Sequence, residues 1–282
     1  MCIAALYNLS QRGDAKLEKL KKKRDSCVVS TLLACLILAS ACHRSPIGVE
    51  RAGVDSGDKK AAAETVAEAD RNYAQREDLA KVRSAVTLLR QARTVDYGNF
   101  EAAWKLARAD YYLGSHSTDE EADNAFREGI EAGKLAIQLQ GSRPEGHFWL
   151  GANYGGSAER STLAGLASVE DIRREMEEVI KIDPSFQGGS AYMALGQLYL
   201  EAPKVLGGDS AKAIDFLSKG VHVAPDNALL RLHLAEAYHT AGRDAEARRE
   251  IDTLMAMTPN QDYLPEHKEA VEKGKKLLDK MK

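Results

Sequence analysis

The chain has 282 residues, 44% of them hydrophobic and 29% charged, with a formal net charge of −3. That length buries a sizeable core. Acids and bases are mixed without a basic excess, which argues against a nucleic-acid surface, and no long Val/Ile/Thr alternation marks strands. Only 7 prolines occur, and long stretches of Ala, Leu, Glu, Lys and Arg predict helices. In chain order, residues 1–25 are polar and carry the basic run Lys21–Arg24. Residues 28–41 (VVSTLLACLILASA) form an apolar run of 14 residues. A transmembrane helix needs about 20, so the run fits a signal-peptide core.

That run ends at Ala39-Ser40-Ala41-Cys42, which resembles the lipobox of bacterial lipoproteins. There the chain is cleaved before the cysteine, which then carries lipid. Ala39 stands where Leu is usual. Leu32-Leu33-Ala34-Cys35 has the better Leu but leaves only Val28–Ala34 as apolar core, so Cys42 is preferred. A plain cleaved signal or a short anchor is the alternative. The four cysteines are Cys2, Cys27, Cys35 and Cys42, so cleavage leaves one thiol at the lipid position. Acyl chains supply membrane affinity by themselves. The expected organisation is a signal peptide over 1–41, a lipidated N-terminus and flexible tether over 42–58, and a helical domain over 59–282.

Within that domain one pattern recurs: Leu, a small residue, two residues, then Tyr. It reads LGANY at 150–154, LGQLY at 195–199 and LAEAY at 234–238, with a looser LARADY at 106–111 in which Tyr111 falls one residue late. The Leu-to-Leu steps are 44, 45 and 39 residues, and helix stops follow at Pro184, Pro225 and Pro259. These residues resemble the tetratricopeptide repeat (TPR). Pro225 to Pro259 spans the 34-residue period of that repeat, and the earlier units carry insertions. Ala85, Leu89 and Ala92 read as the second helix of a preceding half-unit, and 266–282 as a charged cap. The predicted fold is all-α, a TPR-like right-handed array of helical hairpins with insertions.

No nucleophile elbow, HExxH or phosphate-binding loop occurs, and no two of the seven histidines share a helix face at i, i+3 or i+4. The expectation is therefore a non-enzyme without metal or cofactor. In a TPR array the positions two before and two after the repeat Leu face the groove. This places Trp104, Arg108, Phe148, Ala152, Met193, Gln197, Leu232 and Glu236 there. For Trp104 and Phe148, burial as core stands equally open. GANYGG (151–156) adds Asn153, Gly155 and Gly156 as candidate binding positions, because glycines there cost helix stability and imply a bend or a close backbone approach. These glycines, Gly188-Gly189 and the pair at 207–208 either line a pore or cleft or make tight turns.

RPEGHFWLGANYGG (143–156), REMEEVIKIDPSFQGG (174–189) and ALGQLYLEAP (194–203) resemble more than a generic repeat. They are similar to the T component of TPR-associated TRAP transporters, periplasmic lipoproteins of bacteria. The resemblance covers about residues 60–282. It implies a homotrimer with an internal pore or cleft, a TRAP solute-binding protein as partner, and a small hydrophobic ligand. Attachment to the outer membrane through lipid alone is the expected location. A scaffold for assembly or secretion of other proteins is the alternative.

Overall fold

A computed structural model of the protein describes residues 55–160, 162–204, 207–259 and 264–281. Among them run eleven α-helices: α1 Ser56–Tyr73, α2 Leu79–Val95, α3 Phe100–His116, α4 Asp119–Gln140, α5 Pro144–Arg160, α6 Thr162–Ile182, α7 Phe186–Glu201, α8 Ser210–Val223, α9 Ala228–Thr240, α10 Asp244–Ala256 and α11 Leu264–Lys280. Each odd helix through α9 pairs with the even helix after it. Successive odd helices also pack at α1–α3, α3–α5, α7–α9 and α9–α11, and α11 covers α9 and α10. This is the stacked-hairpin array the repeat predicts.

Local chemistry places the starts and stops. Asn99 caps α3 through the backbone N–H of Ala102, and Asn227 caps α9 through Leu230. Pro184 and Pro225 follow the ends of α6 and α8, because proline cannot continue a helix. The predicted insertions lengthen helices: α4 has 22 residues and α6 has 21, against 14 in α8 and 13 in α10.

The repeat Leu residues Leu106, Leu150, Leu195 and Leu234 sit on α3, α5, α7 and α9, each at most 3% exposed. The small residue after each lets the partner helix approach. A methyl at Gly196 would overlap Leu217 of α8, and one at Gly151 would meet Met176 of α6. On α3 the Tyr position is taken by Asp110, which is fully buried with neither carboxylate oxygen hydrogen-bonded. Burial, followed by the nearby charge of Glu128, holds its pKa well above the usual carboxylate range. Burial at this position thus favours the protonated form of Asp110, and the repeat's Tyr falls one position later, at Tyr111.

The half-unit at Ala85, Leu89 and Ala92 is α2, and α1 completes it as a full hairpin through Ala62, Val66 and Ala69. Helix α1 begins at Ser56, so the last three residues of the expected tether are helical. Cys42 and the signal run lie outside the described residues. No helix among the described residues is long and apolar enough to cross a membrane.

Candidate functional site

The stack of odd helices opens between α5 and α7, whose backbones stand apart. Gly151, Ala152 and Gly155 on α5 are too small to reach Ser190, Met193 and Ala194 on α7. Ile172 and Met176 of α6 and Leu198 of α7 complete the lining of a mostly apolar cleft of about 90 Å³, with Glu159 at its edge. Phe148 is buried, packs edge-on against Trp149 and Phe186, and also lines this cleft. Core and site are the same thing for that residue.

Helix α7 enters this region through an unusual start. Gln187, Gly188 and Gly189 are left-handed at φ 51°, 61° and 74°, so regular helix begins only at Ser190. Asn227 donates to the Gly188 carbonyl at 2.8 Å and ties the break to the start of α9. The pair at 207–208 does not line the cleft. Gly207 has φ 94°, and a methyl on Gly208 would overlap the Ala202 carbonyl, so that pair makes a tight turn.

Along α7 the cleft lining gives way to polar side chains. Gln197 is 6% exposed, with its Nε2 3.0 Å from His233 Nε2 on α9 and its Oε1 unpartnered. His233 Nδ1 stands 2.7 Å from Glu236 Oε2. The ring thus bridges Gln197 on one nitrogen and Glu236 on the other. Glu201 follows one turn after Gln197, and its Oε2 is buried without a partner. Burial, then the charges of Glu236 and Glu159, push Glu201 up to about 8.

Glu201 makes stability depend on pH. Its carboxyl keeps a proton in the folded chain up to about pH 8, while the unfolded chain releases it near the ordinary value of 4.5. Folding takes up a proton between those values, so stability falls as pH rises across them. Glu201→Gln, which needs no proton, stabilises the chain by about 2 kcal/mol at pH 7 and little at pH 5. Urea midpoints of both proteins at the two pH values check this; a gap independent of pH would rule it out.

The other sequence candidates lie in separate surroundings. Arg108 of α3 pairs with Asp70 of α1 at 3.0 Å and lies over the Tyr73 ring, 4.0 Å from its centroid. Trp104 donates to Glu101 and packs beside Phe100 and Leu135. Asn153 is fully buried, its amide donating to the Ala107 and Trp149 carbonyls. Gly156 faces the Phe126 ring of α4, whereas a methyl on Gly155 would meet nothing within 4 Å. Helix α5 continues through both glycines to Arg160. Leu232 is core between α9, α10 and α11. The structure thus gathers Phe148, Ala152, Gly155 and Met193 in one cleft, sets Gln197 and Glu236 beside it, and leaves Trp104 and Arg108 on another face. Glu159, Glu201 and His233 were not singled out as site residues, and only the i, i+3 spacing of His233 and Glu236 signalled them.

Stacked helical hairpins in repeat register, with no strand among the described residues, make this a TPR-like repeat protein, a fold built for binding other proteins. Residues 206–264 match the tetratricopeptide repeat family. Residues 65–204 match the family described as regulator of microtubule dynamics protein 1-3. The two matches meet just after the end of α7 in sequence. A comparison with curated proteins finds no match in sequence. Among solved structures the chain is similar to a thermophilic TPR protein of Thermus thermophilus, at 20% identity and TM-score 0.54, covering 74% of this chain and 98% of that one. It is similar to PilF of Pseudomonas aeruginosa at 14% identity and TM-score 0.54, covering 80% and 93%. MamA follows at 17% and 0.50, covering 79% and 96%. These likenesses establish the fold.

Proposed function

We propose that the chain is the accessory, partner-binding component of a TRAP-type transport system. It is lipidated at Cys42, faces the periplasm, is held at the membrane by lipid alone, and binds the system's solute-binding protein as a homotrimer. The observation that carries this reading is the α5–α7 cleft. Phe148, Gly151, Ala152 and Gly155 of 143–156, Met176 of 174–189, and Ala194 and Leu198 of 194–203, the segments that resemble the T component, supply most of its lining, and it offers the apolar recess that such a role needs. The two family matches support the helical fold of this reading.

The test is co-purification of the lipidated chain with a solute-binding protein encoded beside it. A complex that survives gel filtration, with three copies of this chain by light scattering, is the expected result. Absence of any complex with every neighbouring solute-binding protein would overturn the reading. Capture of subunits of an assembly or secretion machine would favour the scaffold alternative instead. Mass spectrometry of the mature N-terminus checks the anchor, and an unmodified start elsewhere than Cys42 would remove it.

A further inference from the structure

The size of the cleft decides what kind of ligand it takes. Sites for free-standing drug-sized molecules occupy about 300–1,000 Å³, and an engineered apolar cavity that binds benzene measures about 150 Å³. The cleft has about 90 Å³. It accommodates one aliphatic side chain, which is the size of an interface anchor.

The charge at its mouth decides what stands next to that side chain. Glu159 edges the cleft. Ala194, Leu198 and Glu201 fall on one face of α7, so Glu201 continues the apolar wall by one turn. Glu159 and Glu236 both act on Glu201 as nearby like charges. Glu201 Oε2 and Gln197 Oε1 are buried here without a partner; Gln197 Oε1 is an acceptor, and Glu201 becomes one when an incoming cation displaces the proton that it holds in the free chain. No Lys or Arg among the described residues is paired with Glu201, and His233 is already engaged between Gln197 and Glu236. Buried acceptors without donors carry a cost that an incoming cation removes.

We infer that the α5–α7 cleft is the anchor pocket of a docking site for a basic segment of a partner protein: one aliphatic side chain fills the cleft, and a Lys or Arg about one turn away lies on Glu201 and Glu236. This rests on the reading of the chain as a partner-binding protein and names the chemistry its partner presents.

Three synthetic ten-residue peptides on an Ala/Gly background test it by fluorescence anisotropy against the purified chain: Leu-x-x-Lys, Leu-x-x-Glu and Ala-x-x-Lys. The first binds about tenfold or more tighter than either other. Glu201→Gln with Glu236→Gln removes the preference for Lys over Glu. Gly155→Leu fills the cleft from a position where a Cβ meets nothing within 4 Å, and it abolishes binding while the circular dichroism and melting temperature are kept. Equal binding of the three peptides, no binding at millimolar concentration, or full binding by Gly155→Leu each overturn the inference. A solute-binding protein that co-purifies equally well with Gly155→Leu leaves the transport reading intact and removes only this docking site. Peptide selectivity without any such complex does the reverse.

Discussion

Replacing His147 with Ala lowers the unfolding free energy by about 3 kcal/mol near pH 6. Its ring Nδ1 stands 2.7 Å from Glu175 Oε2, and its Nε2 stands 3.0 Å from the Gly141 carbonyl. Both partners are acceptors, so the ring donates from both nitrogens and is an imidazolium. Burial opposes the charge on His147, but the Glu175 carboxylate and the Gly141 carbonyl outweigh it and raise the pKa above 6.5. Burial likewise opposes the charge on Glu175, and His147 and Arg174 outweigh it and hold it below 4.5. The pair ties the end of α4 and the start of α5 to the middle of α6, the helix that supplies Ile172 and Met176 to the cleft. Removing one partner leaves the other charge buried, which costs about 3–5 kcal/mol. Arg174, 2.9 Å from Glu175 Oε1, keeps the loss at the lower end.

The sign of the pH dependence follows from the two directions. A raised histidine contributes stability that is fully present below about 6.5 and is lost as pH rises through its folded value. A lowered carboxylate contributes stability that is present above about 4.5 and is lost as pH falls through its folded value. The pair is strongest between those limits. The gap between parent and His147→Ala in urea denaturation is therefore largest near pH 6 and shrinks by pH 9. A gap below about 1 kcal/mol at pH 6, or one unchanged at pH 9, would show that the pair is not ionised.

The repeat was legible because it depends on local chemistry. Leu195, Gly196 and Tyr199 each meet the neighbouring helix at a fixed spacing, and Pro225 ends a helix wherever it stands. Helix α1 was harder to read because Ala62, Val66 and Ala69 pack it without the Leu–small–Tyr signature. The cleft was not legible at all as a cleft. It is an absence of side chains between two helices that are separated in sequence by the whole of α6. Phe148, Ala152 and Met193 were placed on the right helix face, yet nothing in their spacing says that α5 and α7 stand apart. Glu201 escaped notice for the same reason: its carboxyl is unusual because it is buried and because Glu236 and Glu159 arrive from other helices. Asp110 shows the converse, a local pattern broken by one residue whose burial no window of sequence reveals.

Gly155 and Gly156 were indistinguishable in sequence, and alanine at each is expected to act with opposite sign. Neighbouring residues on a helix point about 100° apart. A methyl at Gly156 would overlap the Phe126 ring at three of its atoms. Phe126 is 3% exposed, and Gly114 already crowds the same ring from α3, with a methyl there only 2.8 Å from its atoms. The ring has no free direction to move, so Gly156→Ala destabilises by about 2–3 kcal/mol. Trimming the ring in a Gly156→Ala, Phe126→Leu double variant recovers part of that loss relative to the sum of the single changes. At Gly155 the methyl meets nothing, φ is ordinary for a helix, and Ala gains about 0.5–1 kcal/mol in helix propensity. Melting curves of the single variants decide the matter, and shifts of the same sign would mean that the two faces are assigned wrongly. Packing therefore requires the glycine at 156 and does not require the one at 155. A glycine at 155 costs its own helix stability on the wall of the cleft, and it leaves the room that the proposed docking site requires.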